Sequence, residues 1–341
     1  MNVLEIRELD RTRDTAWDAF VRAAPSGTFL HLSAWRTILT DEFGCRCHYL
    51  YAERDHEIVG VLPLAHVKNV IAGNVLVSLP FLVYGGPVGE PAAMTALVAR
   101  ARELGVSLGV DYVELRNRDA GVDGLAVRES HVTFRRELGT VDESLKAIPR
   151  KQRAMIRKGE AAGIDVSWNA DIDRFYAVFS ESYRNLGTPV FARSLFRRLI
   201  ETFGDQVWLT TLEKEGQPLA SVQSFVFRDE VLPYFGGGTA QARDHYANDL
   251  MYWVVMVRAI ESGLRSFDFG RSKVDSGSYR FKKHWGFEPT PLRYQHDLIK
   301  AHVVPNLSPT NPKFKAPIEV WKRLPLALTR VVGPTIARRL I

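Results

Sequence analysis

Cysteine is nearly absent: Cys45 and Cys47 are the only two in 341 residues. Two residues apart on a strand, they face one way but form a poor disulfide pair. The usage excludes a disulfide framework and fits a reducing compartment. His48 follows them, yet a zinc site draws about four ligands from separated clusters, and the sequence has no second cluster. No metal is expected. Long apolar runs are also missing. No stretch of about 18 uncharged apolar residues occurs, so no segment reads as a membrane span. The longest apolar stretch, Val75 to Val83, has strand length and contains Pro80. The N-terminus carries Glu5, Arg7, Glu8 and Asp10 where a secretory leader would be apolar. A soluble, cytoplasmic protein is the expectation.

Most of the chain has no charge imbalance. The formal net charge is +6. From Lys300 to Ile341 there are eight Lys or Arg and one acid, Glu319, a net +7 that leaves the preceding residues at −1. The basic character therefore belongs to the tail, and a duplex-DNA binder, which needs a basic face on its body, is excluded. Two basic clusters remain in the body, the first without an interleaved acid. Arg150, Lys151, Arg153, Arg157 and Lys158 gain nothing from i,i+4 pairing. Arg271, Lys273, Arg280, Lys282 and Lys283 are interrupted by Gly277 and flanked by Gly270 and Gly286, which predicts a loop. Either cluster suits an anion such as a phosphate or an acidic glycan.

What is present is a core in duplicate. With 18 Phe, 11 Tyr and 7 Trp the chain is far from a disordered composition, and its length suggests about two domains. Tyr49–Ala52 and Ile58–Val67 flank a charged turn from Glu53 to Glu57; Val207–Leu212 and Leu219–Phe227 flank another from Glu213 to Gln217. Both read as hairpins. Each is followed by an apolar strand ending in Tyr84-Gly85-Gly86 or Tyr234-Phe235-Gly236-Gly237-Gly238. Next comes a helix, one with Met94, Leu97, Val98, Ala101 and Leu104 closed by Gly105, the other with Leu250, Trp253, Val254, Val257 and Ile260 closed by Gly263. A last strand, Val110–Leu115 or Ser266–Phe269, completes each unit. The turns lie 160 residues apart and the Tyr-Gly strands 150, in the same order, which is the signature of an internal duplication. The unit of helix, hairpin, strand, helix, strand predicts an α/β (α+β) fold with mixed sheets flanked by helices. The expected domains are residues 1–145 and 146–298, followed by a basic, Pro-rich tail, 299–341.

The set of motifs resembles the FemAB-like family of tandem GNAT-fold acyltransferases over nearly the whole chain. It is carried by His31-x-x-x-Trp35, Gly60-Val-Leu-Pro63, Ser78-Leu-Pro-Phe-x-x-Tyr-Gly-Gly86, the basic run Ile148 to Lys158, Phe267-Asp-Phe-Gly-Arg-Ser-Lys273 and Tyr279-Arg-Phe-Lys-Lys-His-Trp-Gly-Phe287. The tail, Leu307-Ser-Pro-Thr-Asn-Pro-Lys-Phe314 with Trp321-Lys-Arg-Leu-Pro325, is similar to the subgroup found with PEP-CTERM/exosortase exopolysaccharide loci. The resemblance implies transfer of an acyl or aminoacyl group to an amine of an envelope or exopolysaccharide precursor. The donor it implies is acyl-CoA or aminoacyl-tRNA; the acceptor is a small-molecule or lipid-linked sugar. The helical arm of some aminoacyl-transferring members is absent. The competing reading is a non-catalytic GNAT-fold adaptor that binds an acidic glycan or protein partner.

Amide formation requires loss of an amine proton, a stabilised oxyanion and aligned substrates. The resemblance places Lys282 near the acyl carbonyl, as oxyanion donor. Asp268, between Phe267 and Phe269, either pairs with a cation such as Arg271 or serves as a base with a raised pKa. Arg271 and Arg280 suit bidentate binding of a phosphate or carboxylate, and Arg150 and Arg153 suit donor phosphates. Tyr84 and Tyr234 either line a cleft or pack. Gly236, Gly237 and Gly238, ahead of a helix, either cradle a phosphate through backbone N–H groups or mark a bulge. In the tail, Trp321, Leu324, Leu326, Leu328 and Val331 lie beside Lys322, Arg323 and Arg330. Such a segment either straps onto the body or rests peripherally on the inner face of an anionic membrane.

Overall fold

The computed structural model describes residues 4–69, 71–119, 121–303 and 312–340. The tail motif from Leu307 to Phe314 lies outside the residues whose side chains are described. The chain forms two compact units, Met1–Ser130 with Pro291–Ser308 and Arg338–Ile341, and His131–Thr290 with Pro309–Ala337. In the first unit the strands are β1 (Glu5–Glu8), β2 (Arg46–Arg54), β3 (Glu57–Asn69), β4 (Gly73–Val77), β5 (Val88–Gly89), β6 (Tyr112–Asn117) and β7 (Ala126–Arg128). The next strands build a second sheet: β8 (His131–Glu137), β9 (Asp165–Ser167), β10 (Val207–Lys214), β11 (Gln217–Phe227), β12 (Glu230–Gly238), β13 (Ser266–Asp268), β14 (Ser272–Lys273) and β15 (Pro289–Pro291). The last strand, β16 (Arg293–Leu298), returns to the first sheet. The strand orders are β1-β2-β3-β4-β6-β16-β7, with β5 on β3, and β14-β8-β13-β12-β11-β10-β9, with β15 on β8. Both sheets are mixed, because β4 runs parallel to β6 and β12 parallel to β13.

Helices α1 (Asp14–Ala23), α2 (Trp35–Phe43) and α3 (Pro91–Leu108) belong to the first unit. The second holds α4 (Val141–Ala147), α5 (Arg150–Glu160), α6 (Ile172–Leu186), α7 (Arg193–Phe203), α8 (Ala247–Glu261), α9 (Gly277–His284), α10 (Pro312–Arg323) and α11 (Leu326–Ala337). Their apolar stripes bury against the sheets. Leu97, Val98 and Ala101 of α3 join Leu62, Leu64 and Leu76, while Leu250, Met251 and Trp253 of α8 join Val222, Val231 and Phe267.

The duplication extends to the hydrogen-bond register. The β2–β3 hairpin turns through Asp55 and His56, both at positive φ, and the β10–β11 hairpin through Glu215 and Gly216, also both positive. Two central residues of positive φ match the right-handed twist of the flanking strands. Each hairpin has a bulge one step before its buried glutamate, at Ala52/Glu53 and Leu212/Glu213. Strand β1 pairs Glu5 with Glu53, and β9 pairs Asp165 with Glu213. Arg13, just before α1, pairs with Glu53. Arg174 of α6 grips both oxygens of Glu213 at 2.7 and 2.6 Å. Each arginine ties a helix to the turn end of its hairpin. Glu213→Ala removes the acceptor of both bonds and is expected to lower stability by about 1–3 kcal/mol in urea unfolding.

Several elements depart from the sequence reading. The division between units comes at Ser130/His131 rather than 145/146, and residues 291–308 return to the first unit. Strands β8 and β16 pair with partners far away in sequence, which periodicity does not register. Gly105 does not close α3. The helix runs on to Leu108 and ends at Gly109, φ 62°. Gly105 sits inside it because a Cβ there would lie 3.0 Å from Val113 and 3.2 Å from Val110. The second basic cluster is half helical, with Arg280, Lys282 and Lys283 on α9, whose N-cap Ser276 accepts from the Tyr279 N–H. Cys45 and Cys47 are free thiols, and burial raises both pKa values.

Candidate functional site

In the second unit the parallel ladder of β12 with β13 covers only Glu230↔Ser266 and Val231↔Phe267. Strand β12 then continues to Gly238 alongside β11, while β13 ends at Asp268. The chain after β13 turns at Gly270, φ 67°, a conformation that favours glycine. It then forms β14 against Val132 and His131 and enters α9.

That turn is held from both ends. Asp268, 0% exposed, accepts the Gly270 N–H through Oδ1 at 2.7 Å and the Thr133 hydroxyl at 3.0 Å. Lys282, only 8% exposed, donates from Nζ to the carbonyl of Gly270 at 2.9 Å and to that of Arg271 at 3.2 Å. The Phe134 ring lies 5.7 Å from the same nitrogen. The Lys282 pKa is lowered to about 7, mainly by burial; the Asp268 carboxylate opposes the shift and Arg271 adds to it. The ammonium is thus near its titration point at neutral pH, which is unusual for lysine and characteristic of functional sites.

Two tyrosines close around the same loop. Burial raises the phenol of Tyr252 to about 12 and that of Tyr183 well above its ordinary value, with Arg271 acting against the latter. Arg271 is therefore within electrostatic reach of both Lys282 and Tyr183. A Cβ on Gly236 would stand 3.5 Å from Tyr252 Oη, one on Gly237 2.4 Å from Ser182 Oγ, and one on Gly238 2.3 Å from Asn248 Oδ1. Gly237 and Gly238 let α6 and α8 close onto β12, whereas a Cβ on Gly236 would press on Val222 of β11 at 3.0 Å.

The structure sorts the expected residues. Lys282, Asp268 and Arg271 converge. Gly236, Gly237 and Gly238 lie inside β12 rather than in a phosphate loop, and α8 starts only at Ala247. The N–H of Ala240, just after the strand, is taken by the Glu181 carboxylate at 3.1 Å, a negative charge where a phosphate was expected. Arg280 is exposed, two residues from buried Lys282 and so on another side of α9. Arg150 is exposed and Arg153 half-buried on α5. That helix buries Gln152, Ile156 and Gly159 instead, and Gln152 and Trp285 both donate to Asp249 Oδ1 at 3.0 Å. Tyr234 lies within β12 rather than at its end, against Phe225 and Phe235. Tyr84 ends no strand and is fully buried in the first unit, with Arg118 over its ring. Arg135 of β8 also lies near Asp268, 3.7 Å from Oδ2. Sequence reasoning missed Thr133 and Phe134, which fell within the first expected domain, and did not single out Tyr183 or Tyr252 for the site. The one signal was a hydroxyl-bearing residue at 252 between apolar Met251 and Trp253.

In the first unit the described residues arrange the corresponding strand end differently. Beyond Val77↔Glu114, the segment 78–87 folds back onto β6: Ser78 N–H donates to Glu114 O at 2.8 Å, and the N–H groups of Gly85 and Gly86 to Arg116 O at 3.0 and 3.1 Å. Leu79 and Phe81 both adopt positive φ there. Arg116 donates to the carbonyls of Leu79 and Leu82 and pairs with Glu114 at 2.6 Å. Glu114 occupies the place in β6 that Asp268 holds in β13. Burial opposes its ionisation, but Arg116 and His296 hold its carboxyl well below the usual range. His31, with its pKa lowered to about 4 by burial, bridges Thr28 and the Gly86 carbonyl. The segments around His31 and Ser78–Gly86 are thus bonded to each other and to β6.

Residues 146–283 match the model of an acetyltransferase (GNAT) domain, a span from just before α5 to just past Lys282. No curated protein matches the chain. Among solved structures the chain is similar to FemX, at 15% identity and a TM-score of 0.66, over 87% of this chain and 98% of that one. It is similar to the C-terminal domain of a putative lysylphosphatidylglycerol synthetase from Agrobacterium fabrum, at 13% identity and a TM-score of 0.56, over 84% and 91%. A tandem GNAT protein from the clavulanic acid biosynthesis pathway matches at 15% identity and a TM-score of 0.55, over 87% and 98%. At such identities the likeness establishes the fold: two tandem GNAT-like domains, each a mixed sheet flanked by helices.

Proposed function

We propose that the protein is an N-acyltransferase whose chemistry resides in the second unit. It moves an acyl or aminoacyl group from an activated carrier, acyl-CoA or aminoacyl-tRNA, to an amine of an envelope or exopolysaccharide precursor. The observation that carries this reading is the buried Lys282 ammonium. Two of its N–H groups go to the carbonyls of Gly270 and Arg271, which leaves one proton for an oxygen that becomes negative. In the reaction the amine nitrogen attacks the carbonyl carbon, and the oxygen takes up charge as the C–N bond forms. The carrier's C–S or C–O bond then breaks, the thiolate or ribose oxygen leaves, and the spare amine proton passes to water. A preorganised donor in a water-poor site stabilises that charge without reorganisation. Arg271 adds a second positive charge next to it. The motif resemblance of the tail supports the envelope acceptor.

The test is thermal unfolding of the purified protein with acetyl-CoA, free CoA and aminoacyl-tRNA in turn. At about 100 times Kd, a donor that binds only the folded state adds about 2.7 kcal/mol, which raises Tm by several degrees. A shift with acetyl-CoA assigns the thioester branch, and one with aminoacyl-tRNA alone the tRNA branch. No shift with any donor overturns the assignment.

A further inference from the structure

The C-terminal helices show two unlike faces. One is fastened to the second unit. Trp321, Thr329, Gly333 and Ala337 are buried. A Cβ on Gly333 would come within 3.1 Å of the Val190 backbone, and one on Gly187, after α6, within 2.5 Å of Ile318. Arg330 donates from Nε to Ser180 Oγ at 2.8 Å, and Arg184 donates to the Leu324 carbonyl at 3.3 Å. The helices thus strap onto the second unit, one of the two arrangements the sequence left open, and this fixes the orientation of the opposite face.

That opposite face has the wrong composition for water. Ten large apolar side chains stand exposed among the described residues, and four of them, Val320, Leu328, Val331 and Val332, lie on α10 and α11. A fifth, Leu186, ends α6 next to the Gly187 on which Ile318 sits. Val331 is 75% exposed and Val320 60%. Leu328, Val331, Val332 and Thr335 follow i, i+3, i+4, i+7 spacing and so form one stripe. The surrounding exposed charges are positive: Lys315 and Arg323 on α10, and Arg338 and Arg339 just after α11. The single acid, Glu319, is neutralised by Lys322 at 2.7 Å. No helix among the described residues is long and apolar enough to cross a membrane.

We infer that this face is a docking surface for an anionic lipid bilayer, on which α10 and α11 lie flat. A shallow aliphatic ridge rimmed by cations and free of unpaired acid matches the acyl–headgroup boundary, where the ridge enters and the cations meet lipid phosphates. An acidic protein groove would accept the charges but would leave the ridge needing a matching pocket. The inference rests on this surface and not on the acyltransferase reading. It would place the second unit at the level where a lipid-linked substrate is presented.

The experiment is flotation of the full chain with vesicles of phosphatidylcholine, with and without roughly one-third phosphatidylglycerol. Expected is binding to the anionic vesicles at low salt, loss of binding in high salt, and little binding to phosphatidylcholine alone. The double variant Leu328→Glu, Val331→Glu, at positions 45% and 75% exposed, should keep a Tm close to the parent's and bind at least about tenfold more weakly. Val106→Glu on α3, at a valine 58% exposed, should bind as the parent does. Absence of parental binding to anionic vesicles, or undiminished binding by the double variant, overturns the proposal. Arg338→Glu with Arg339→Glu provides a second, independent variant: unchanged binding there removes the cationic half of the argument. No donor or acceptor is present in this measurement, so its failure and that of the acyltransferase reading are separate results.

Discussion

Lys282→Met lowers the rate of acyl transfer by about 10²–10³ while leaving donor binding nearly unchanged, because an oxyanion donor acts on the transition state more than on the ground state. The pH dependence gives the sharper signature. The groups facing the lysine nitrogen are the Asp268 carboxylate, the Arg271 guanidinium, the carbonyls of residues 270 and 271 and the Phe134 ring. Burial above all, opposed by the Asp268 carboxylate and helped by Arg271, places the pKa at about 7, against an ordinary 10.5. A donor must be protonated, so activity is full below pH 7 and falls as pH rises through 7. A lysine acting as base gives the opposite limb, and that outcome would reassign its role. Stability carries a linked signature. Between about pH 7 and 10.5 the unfolded chain holds a proton that the folded one has lost, so parental stability rises with pH across that window. The methionine variant lacks this dependence. Its stability relative to the parent is therefore greatest below pH 7 and declines by a few kcal/mol toward pH 10. Urea unfolding at three pH values measures it. A flat difference would mean that Lys282 titrates normally and is no site residue.

What the sequence made legible divides along locality. The two hairpins, the long helices and the duplication were readable because their signals sit within a few residues: charged turns, helical spacing, glycine stops. Strands β1 and β9 escaped because four- and three-residue edge strands carry too little pattern. The exchange of β8 and β16 escaped because strand partners are chosen by tertiary packing. The site follows the same rule. Lys282 could be picked out from its motif, but nothing in Phe281-Lys282 states that the side chain turns inward over Gly270. Arg280, with the same charge and two residues away, faces solvent. The three glycines were visible as a run, yet the reason for Gly237 and Gly238 lies in Ser182 and Asn248, some 55 residues before and ten after. Tyr84 and Tyr234 looked equivalent by position. The first turned out to be core because the segment 78–87, which carries it, folds back onto β6.

Asp268→Asn is the variant that separates the two roles open to this carboxylate. Asparagine keeps an Oδ1 that accepts from the Gly270 N–H and the Thr133 hydroxyl, so the turn persists; what disappears is the negative charge. That charge is the influence that raises the Lys282 pKa against burial and Arg271. Without it the lysine deprotonates below pH 7. Activity at neutral pH should fall about tenfold or more, recover partly in more acidic buffer, and show its alkaline limb displaced to lower pH. Asp268→Ala behaves differently, since it also strands two buried donors and should cost about 2–4 kcal/mol of stability. The double variant Asp268→Asn, Lys282→Met decides the mechanism. If Asp268 acts by tuning the lysine, its loss adds nothing once the lysine is gone, and the two effects are fully non-additive. If the double variant is instead slower by the product of the single effects, the carboxylate touches the substrate itself and takes the amine proton. Measuring kcat/KM for the four proteins across pH 5.5–8.5, the range in which a lysine shifted to about 7 changes charge, distinguishes a positioning carboxylate from a catalytic base.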